Sequence, residues 1–304
     1  MTSPSGEDLV SVVIPTYNHA HFLGKALGSV IAQTHGNWEA IVVDNHSSDN
    51  TVEVVGGLRD PRIRLVQINN NGVIAASRNR GISEARGEWL AFLDSDDFWY
   101  PGKLQKCLAQ LSGGCDLVCH GERWFGSGRD RQVFYGPESR ATYPSLLLDG
   151  NCLSTSAIVM KTQKARAVGG FLEEPEIVTA EDYDFWLRLA KEGAKIGFVR
   201  EILGEYTIHS GNQTRGVVRH TDAVIAVLER HFSSGSGNLG RFRRWQMRKR
   251  RGIAYYGGAR GLQDEGHHKE AWPYFWKALM TWPFFTRTYA AILMNLLGKK
   301  ILLS

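Results

Sequence analysis

Glu88-Trp89-Leu90-Ala91-Phe92-Leu93-Asp94-Ser95-Asp96-Asp97 is the stretch on which the reading of this chain turns. An apolar run from Trp89 to Leu93 stops abruptly at three carboxylates within four residues. The run predicts a short buried strand, and the acids a loop at its C-terminal end. In open α/β sheets, ligands bind outside the carboxyl ends of the strands. Asp94 and Asp96 alternate with one residue between them, so on an extended backbone both side chains point the same way. Two hard oxygen ligands converging there suit Mg2+ or Mn2+, with phosphates completing the shell. A solvated acidic turn is the competing reading, and the stretch alone leaves both open.

Working outward, residues 9–14 form a β-branched apolar run that Pro15 is expected to stop, hence a buried strand. Residues 19–34 carry apolar side chains at helical spacing. A second strand over 38–43 ends at Asp44, a helix over 52–58 follows, then a strand over 63–66 and a helix over 74–85. Strand and helix alternate with short connections, which predicts a parallel α/β sheet. Right-handed crossovers place Ile14, Val43 and Leu93 at one sheet edge. The polar residues that follow, Thr16 to Asn18, Asp44 to Asn45 and Asp94 to Asp97, then line one crevice. Beyond residue 117 the pattern loosens into strands near 116–119, 156–160 and 195–199, with a helix over 184–192. A helix over 223–232 leads into a Gly/Ser-rich linker at 233–240.

The remainder is helical in pattern. Ala259, Leu262, Ala271, Phe275, Ala278 and Pro283 have the spacing of a single tetratricopeptide-like hairpin. One such unit cannot bury its own face and must dock on something. The tail, 289–297 followed by Lys299 and Lys300, reads either as an interfacial anchor or as a helix packed on the hairpin. The expected organisation is thus a domain over 1–220, a helix and linker over 221–240, and a helical region over 241–304.

With 304 residues, 43% of them hydrophobic and 22% charged, the chain fits an ordinary globular protein. The first eight residues lack a signal-peptide pattern, and no stretch is apolar enough to span a membrane. Four cysteines without CxxC or zinc spacing read as reduced thiols, which implies a cytoplasmic setting. The net charge of +5 is concentrated in Arg241, Arg243, Arg244, Arg248, Lys249, Arg250 and Arg251. Such a run meets the phosphates of anionic lipid or nucleic acid, or is simply a solvated helix face. Its only aromatic residues are Phe242 and Trp245, which argues against nucleic acid.

In order along the chain, Val12-Val-Ile-Pro-Thr-Tyr-Asn18, Ile41-Val-Val-Asp-Asn-His-Ser-Ser-Asp-Asn-Thr51, Asn71-Gly72 with Ser77-Arg-Asn-Arg-Gly81, Leu93-Asp-Ser-Asp-Asp97, Gly169-Gly-Phe171 with Glu181-Asp-Tyr-Asp-Phe-Trp186, and Tyr206-Thr-Ile-His209 with Asn212 resemble the segments of the family-2 inverting glycosyltransferases. Each piece alone is weak; six in order over residues 9–215 are specific. One departure is His46, where that family usually has a small residue, often Gly.

The resemblance implies a GT-A fold, a Rossmann-like mixed sheet, and transfer of a sugar from a nucleotide-diphosphate donor to a hydroxyl of a glycan or lipid-linked acceptor in surface-polysaccharide or glycolipid synthesis. It implies a cation held by Asp96 and Asp94, with His209 joining that shell or closing over the diphosphate. Asp97 would bind the sugar or orient the loop. Pro15, Thr16 and Tyr17 would border the base, with Asn45 and Ser95 on the donor side. Asp44 would accept from a uracil N–H, favouring UDP-sugars, and Arg78 would lie near phosphate or sugar. Asp182 is the implied general base, with Glu181 as the nearest competitor; simple helix capping is the alternative for both. Two other classes remain open. A sugar nucleotidyltransferase normally shows a Gly-rich phosphate loop, whereas residues 15–20 contain no glycine. A non-catalytic module would bind nucleic acid, a protein partner or a membrane through the Arg-rich window and the helical hairpin; for the enzyme, the basic and apolar C-terminal segment suits a lipid-linked acceptor at the cytoplasmic face of the inner membrane.

Overall fold

The computed structural model describes residues 8–209, 216–233 and 241–298. Asn212, most of the 233–240 linker, Lys299 and Lys300 therefore lie outside the described residues. Two compact units are present: Met1–Leu146, Asn151–Glu173 and Asp184–Ser210 in the first, and Leu147–Gly150, Glu174–Tyr183 and Gly211–Ser304 in the second.

The first unit is an α/β sheet with helices. Its elements run β1 (Val10–Thr16), α1 (Ala20–Ile31), β2 (Trp38–Asp44), α2 (Thr51–Gly57), β3 (Ile63–Gln67), α3 (Ile74–Glu84), β4 (Trp89–Phe92), β5 (Phe98–Trp99), α4 (Lys103–Leu111), β6 (Leu117–Gly126) and β7 (Arg129–Val133). They continue with residues 143–146 of α5 (Tyr143–Asp149), β8 (Ile158–Lys161), α6 (Thr162–Ala167), residues 184–191 of α7 (Glu181–Lys191) and β9 (Ile196–Thr207). The sheet order is β3-β2-β1-β4-β8-β6-β9-β5, with β7 on β6. Strands β3, β2, β1 and β4 are parallel, whereas β8 pairs antiparallel with β4 and β6, so the sheet is mixed.

Hydrophobic burial explains the parallel half. Every residue of β1 is buried, with Val10, Val12, Val13 and Ile14 wholly so, as expected for a central strand covered on both faces. Pro15 does not stop this strand. It pairs with Val43, and β1 runs on to Thr16, so Pro15 sits inside the sheet. Chain order reverses between β1 and β4: β2 and β3 lie on one side of β1 and β4 on the other. Ligand-binding crevices open at such a switch point.

The second unit contains α8 (Val217–Ser233), α9 (Arg241–Asp264), α10 (His268–Thr281) and α11 (Thr286–Leu296). Ala259, Leu262, Ala271, Tyr274, Phe275 and Ala291 form its core, so α11 packs on the α9–α10 hairpin. Pro283, the last residue of the hairpin spacing, is exposed.

Candidate active site

The acidic loop is a turn and not a continuation of β4. Asp97 N–H donates to Asp94 O at 3.0 Å. The extended backbone expected to align Asp94 with Asp96 is therefore absent; the fold brings their carboxylates close in another way. β5 follows at once and pairs antiparallel with β9, Phe98 opposite Glu205 and Trp99 opposite Gly204. That pairing pins the loop beside the end of β9. Thr207 N–H donates to Asp97 Oδ1 at 3.0 Å, and His209 Nε2 reaches Asp96 Oδ2 at 2.8 Å.

The other side of the loop is held by α3 and β8. Arg78 Nη2 donates to Asp94 Oδ1 at 2.9 Å from a nearly buried guanidinium that lies over the Phe171 ring. Asp94 N–H donates to Ser156 Oγ at 3.1 Å. Ser156 O in turn accepts from Trp99 Nε1 at 2.8 Å. Lys103, also buried, stacks on Trp99 with its ammonium 3.4 Å from the ring centroid and donates to Ile158 O. Neither Ser156 nor Lys103 stands out in the sequence, because a serine before a strand and a lysine opening a helix normally face water.

The electrostatics follow from crowding three acids at a buried turn. Burial, then the neighbouring Asp94 charge, raise the Asp96 carboxyl above its ordinary range, while His209 pulls it back. Asp97 is raised further, by complete burial and by Asp96, Glu122 and Asp94. Burial lowers His19, against the pull of Asp96. His19 Nδ1 lies 2.9 Å from Ser95 Oγ, linking the β1 loop to the acidic loop across the switch point. The His19, His209 and Phe22 rings form one mutual cluster. No local pattern marks His19; its position just after β1, in the expected crevice, is the signal that could have found it.

The remaining donor-side residues divide. Tyr17 is 56% exposed and offers an open ring face. Thr16 Oγ1 is buried and has no hydrogen-bond partner among the described residues. Pro15 is buried within β1. Asp44 has no exposed surface; it accepts from Ser47 N–H and Oγ and from Gln67 Nε2. Ser47 Oγ accepts from Asn18 N–H, so Asp44 fastens the second loop to the first. A base N–H would have to share an occupied carboxylate. Asn45 Oδ1 holds Asn70 N–H, the start of the turn into α3. His46 has φ +50°, the left-handed region that a glycine adopts without strain.

Several motif residues build scaffold. Asn79 brackets Phe171, donating to its O and accepting from its N–H, both at 2.8 Å. Arg188 joins Asp184 to the carbonyls of Val168 and Gly170. Phe171 stacks on Phe185 at 4.2 Å, and this aromatic block lies beneath Arg78.

In the second unit, Glu181 is buried and accepts Thr179 N–H at 2.7 Å. Asp182 is half-buried and accepts Tyr183 N–H. The helix therefore starts at Glu181, ahead of the expected 184. Thr179 is a β-branched residue at φ +87°, held there by Glu181 and by His220 Nδ1, which lies 2.9 Å from its carbonyl. Such strained backbone clusters at functional sites.

Among the described residues no group of three or more His, Cys, Asp or Glu side chains is placed to hold a metal ion. Asp94, Asp96 and His209 are donors of the kind a hard divalent cation takes, and burial first, then the neighbouring acids, raises Asp96 and Asp97.

Residues 11–154 match the model of glycosyl transferase family 2. The chain is 32% identical over 206 residues to the putative teichuronic acid biosynthesis glycosyltransferase TuaG of Bacillus subtilis, covering 66% of this chain and 79% of that one. It is 30% identical over 185 residues to the UDP-Glc:alpha-D-GlcNAc-diphosphoundecaprenol beta-1,3-glucosyltransferase WfgD of Escherichia coli, covering 60% and 70%. The mannosyltransferase PcManGT from Pyrobaculum calidifontis, solved in complex with GDP-Man and Mn2+, shares the fold with a TM-score of 0.61 and 18% identity, covering 94% of this chain and 86% of that one. The chain belongs to glycosyl transferase family 2, and it is a glycosyltransferase.

Proposed function

We propose that this enzyme transfers a sugar, with inversion, from a UDP-sugar to a hydroxyl of a lipid-linked glycan during surface-polysaccharide assembly. The observation that carries the reading is the acidic turn at the β1–β4 switch point, with Arg78 and His209 fastened to its two carboxylates. UDP and a lipid-linked acceptor are favoured by the name of the WfgD relative. Mg2+ or Mn2+ is favoured by the donor set and by the Mn2+ in the mannosyltransferase.

Asp96, Asp94 and His209 would hold the cation, which neutralises charge on a departing diphosphate when bound. Arg78 keeps Asp94 oriented and adds a fixed positive charge beside it. Tyr17 offers a stacking face to the base, and the buried Thr16 hydroxyl awaits a polar partner. Asp44 and Asn45 set the shape of the base-side loops. Asp182 is assigned as the general base because Glu181 is buried and committed to Thr179. Asp182 takes the proton of the acceptor hydroxyl, its oxygen attacks the anomeric carbon, and the bond from that carbon to the diphosphate breaks with the electron pair leaving on UDP. General-base assistance of this kind is worth roughly 10²–10⁴-fold. The work would take place at the cytoplasmic face of the inner membrane.

The test is a donor-hydrolysis and transfer screen across nucleotide sugars with Mn2+ or Mg2+. UDP release from a UDP-sugar, lost in Asp182→Asn and retained in Glu181→Gln, supports the roles given. Pyrophosphate release from a nucleoside triphosphate and a sugar phosphate would point to a nucleotidyltransferase instead.

A further inference from the structure

The basic window of the second unit is sorted by the fold. Arg250 is buried beside Gly150, and Arg251 pairs with Glu229. Arg241, Arg243, Arg244, Arg248 and Lys249 remain exposed along the first three turns of α9. Interleaved with them are Phe242, 70% exposed, and Trp245, 46% exposed.

These aromatics belong to a built cluster. Gly252 lets the chain after α10 press against α9: a Cβ at 252 would lie 2.4 Å from Cβ of Trp282. Trp282 is thereby buried and serves as a base for the others. Trp245 meets it edge-on at 5.0 Å, Phe242 stacks on Trp245 at 5.9 Å, and Phe284 meets Trp282 at 5.2 Å. Phe284 is 75% exposed. The apolar surface continues onto α11, where Tyr289, anchored through its hydroxyl to Pro283 O, is followed one turn on by exposed Leu293. Large rings on a rigid seat, turned to water and ringed by cations, are costly unless covered.

The geometry points to this face as a docking surface for an anionic lipid bilayer, with Phe242, Trp245 and Phe284 entering the headgroup–acyl boundary and the exposed Arg/Lys row lying against lipid phosphates. Charge complementarity selects the occupant. A second copy of the same face would bring two cationic rows together. The aliphatic continuation through Leu293 suits acyl chains. The proposal rests on the reading that the acceptor is lipid-linked, and within the basic C-terminal region it singles out the aromatic seat at the start of α9 together with α11.

The experiment is co-sedimentation of the full chain with vesicles of phosphatidylcholine, alone or with about one-third phosphatidylglycerol. At about 0.1 M salt, partition onto the anionic vesicles is expected to exceed that onto neutral ones by at least roughly tenfold, and to collapse when salt is raised several-fold. Phe242→Ser/Trp245→Ser/Phe284→Ser and, separately, Arg241→Gln/Arg243→Gln/Arg244→Gln each lower partition by about tenfold or more, with circular dichroism and hydrolysis of soluble donor unchanged. Absence of partition at low salt, equal partition onto neutral vesicles, or equal binding by the variants overturns the proposal. So does self-association or oligonucleotide binding that the same variants abolish while vesicles stay unbound. Vesicle binding without any sugar transfer would leave the surface standing and remove the lipid-acceptor reading, so the two failures are distinguishable.

Discussion

Replacing Gly81 by alanine tests whether the acidic turn depends on the seating of α3 on β1. A Cβ at 81 would lie 2.2 Å from Val13 Cγ1 and 2.7 Å from Cγ2, where ordinary contact begins at 3.4 Å. Val13 is wholly buried in the central strand and cannot swing away. The helix must therefore lift by roughly 1 Å, an overpacking cost of about 1–3 kcal/mol. Alanine's better helix propensity returns about 1 kcal/mol, leaving a net loss of up to about 2 kcal/mol. The functional loss should be larger. Arg78 sits nearly one turn before Gly81 and reaches Asp94 at 2.9 Å. A lift of that size takes the pair out of hydrogen-bond range, and misplacements of about 1 Å can cost up to ~10²-fold in turnover. Val13→Ala removes the two clashing methyl groups and alone costs about 2 kcal/mol. The double variant should recover much of both losses, with a coupling of about 1–2 kcal/mol measured by urea unfolding and a matching recovery in donor turnover. Strict additivity of the two substitutions, or a Gly81→Ala enzyme with full turnover, would refute the reasoning.

Ser156→Ala leaves Asp94 N–H without its acceptor in a buried site. The expected cost is about 1–3 kcal/mol of stability, with weaker Mn2+-dependent donor turnover; an unchanged melting temperature and turnover would count against a positioning role. Glu122 is buried beside Tyr135, and its carboxyl is pushed up to about 7, chiefly by burial. Between the ordinary carboxylate range and pH 7 the folded chain holds a proton that the unfolded chain has released, so this group lowers stability as pH rises. Glu122→Gln removes that loss: the variant should gain on the wild type by about 1–3 kcal/mol between pH 5 and pH 7, and a pH-independent difference would contradict it. Lys103, lowered to about 7 by burial, acts in the opposite sense above neutrality, where only the unfolded chain keeps its proton. His120, pushed down to about 3 by burial, makes stability rise with pH over the acid range, so it partly masks Glu122 in the wild type.

The parallel half of the sheet was legible because buried parallel strands are continuous apolar runs, as in residues 10–14 and 38–43. Long-range pairings were not. His209 and Asp96 are 113 residues apart, and His19 and Ser95 are 76 apart; no local pattern announces either contact. β6 and β9 run longer than expected because their outer ends alternate or lie half-exposed, so the apolar run fades before the strand ends. Pro15 misled in the other direction: it ends an apolar run without ending the strand. α4 and its buried Lys103 escaped notice because a lysine is normally read as a solvent position. The motif order located the acidic loop, yet much of what surrounds it, such as Asn79, Asp184 and Arg188, proves to be scaffold that holds Phe171 under Arg78.

Calorimetric titration of UDP into the wild type and Asp96→Ala, each with and without Mn2+, tests the central claim most directly. The account predicts tight binding by the wild type only when Mn2+ is present, and loss of that Mn2+-dependent gain in Asp96→Ala. UDP binding of equal strength with and without Mn2+, or a gain that survives Asp96→Ala undiminished, would contradict the assignment of the acidic turn.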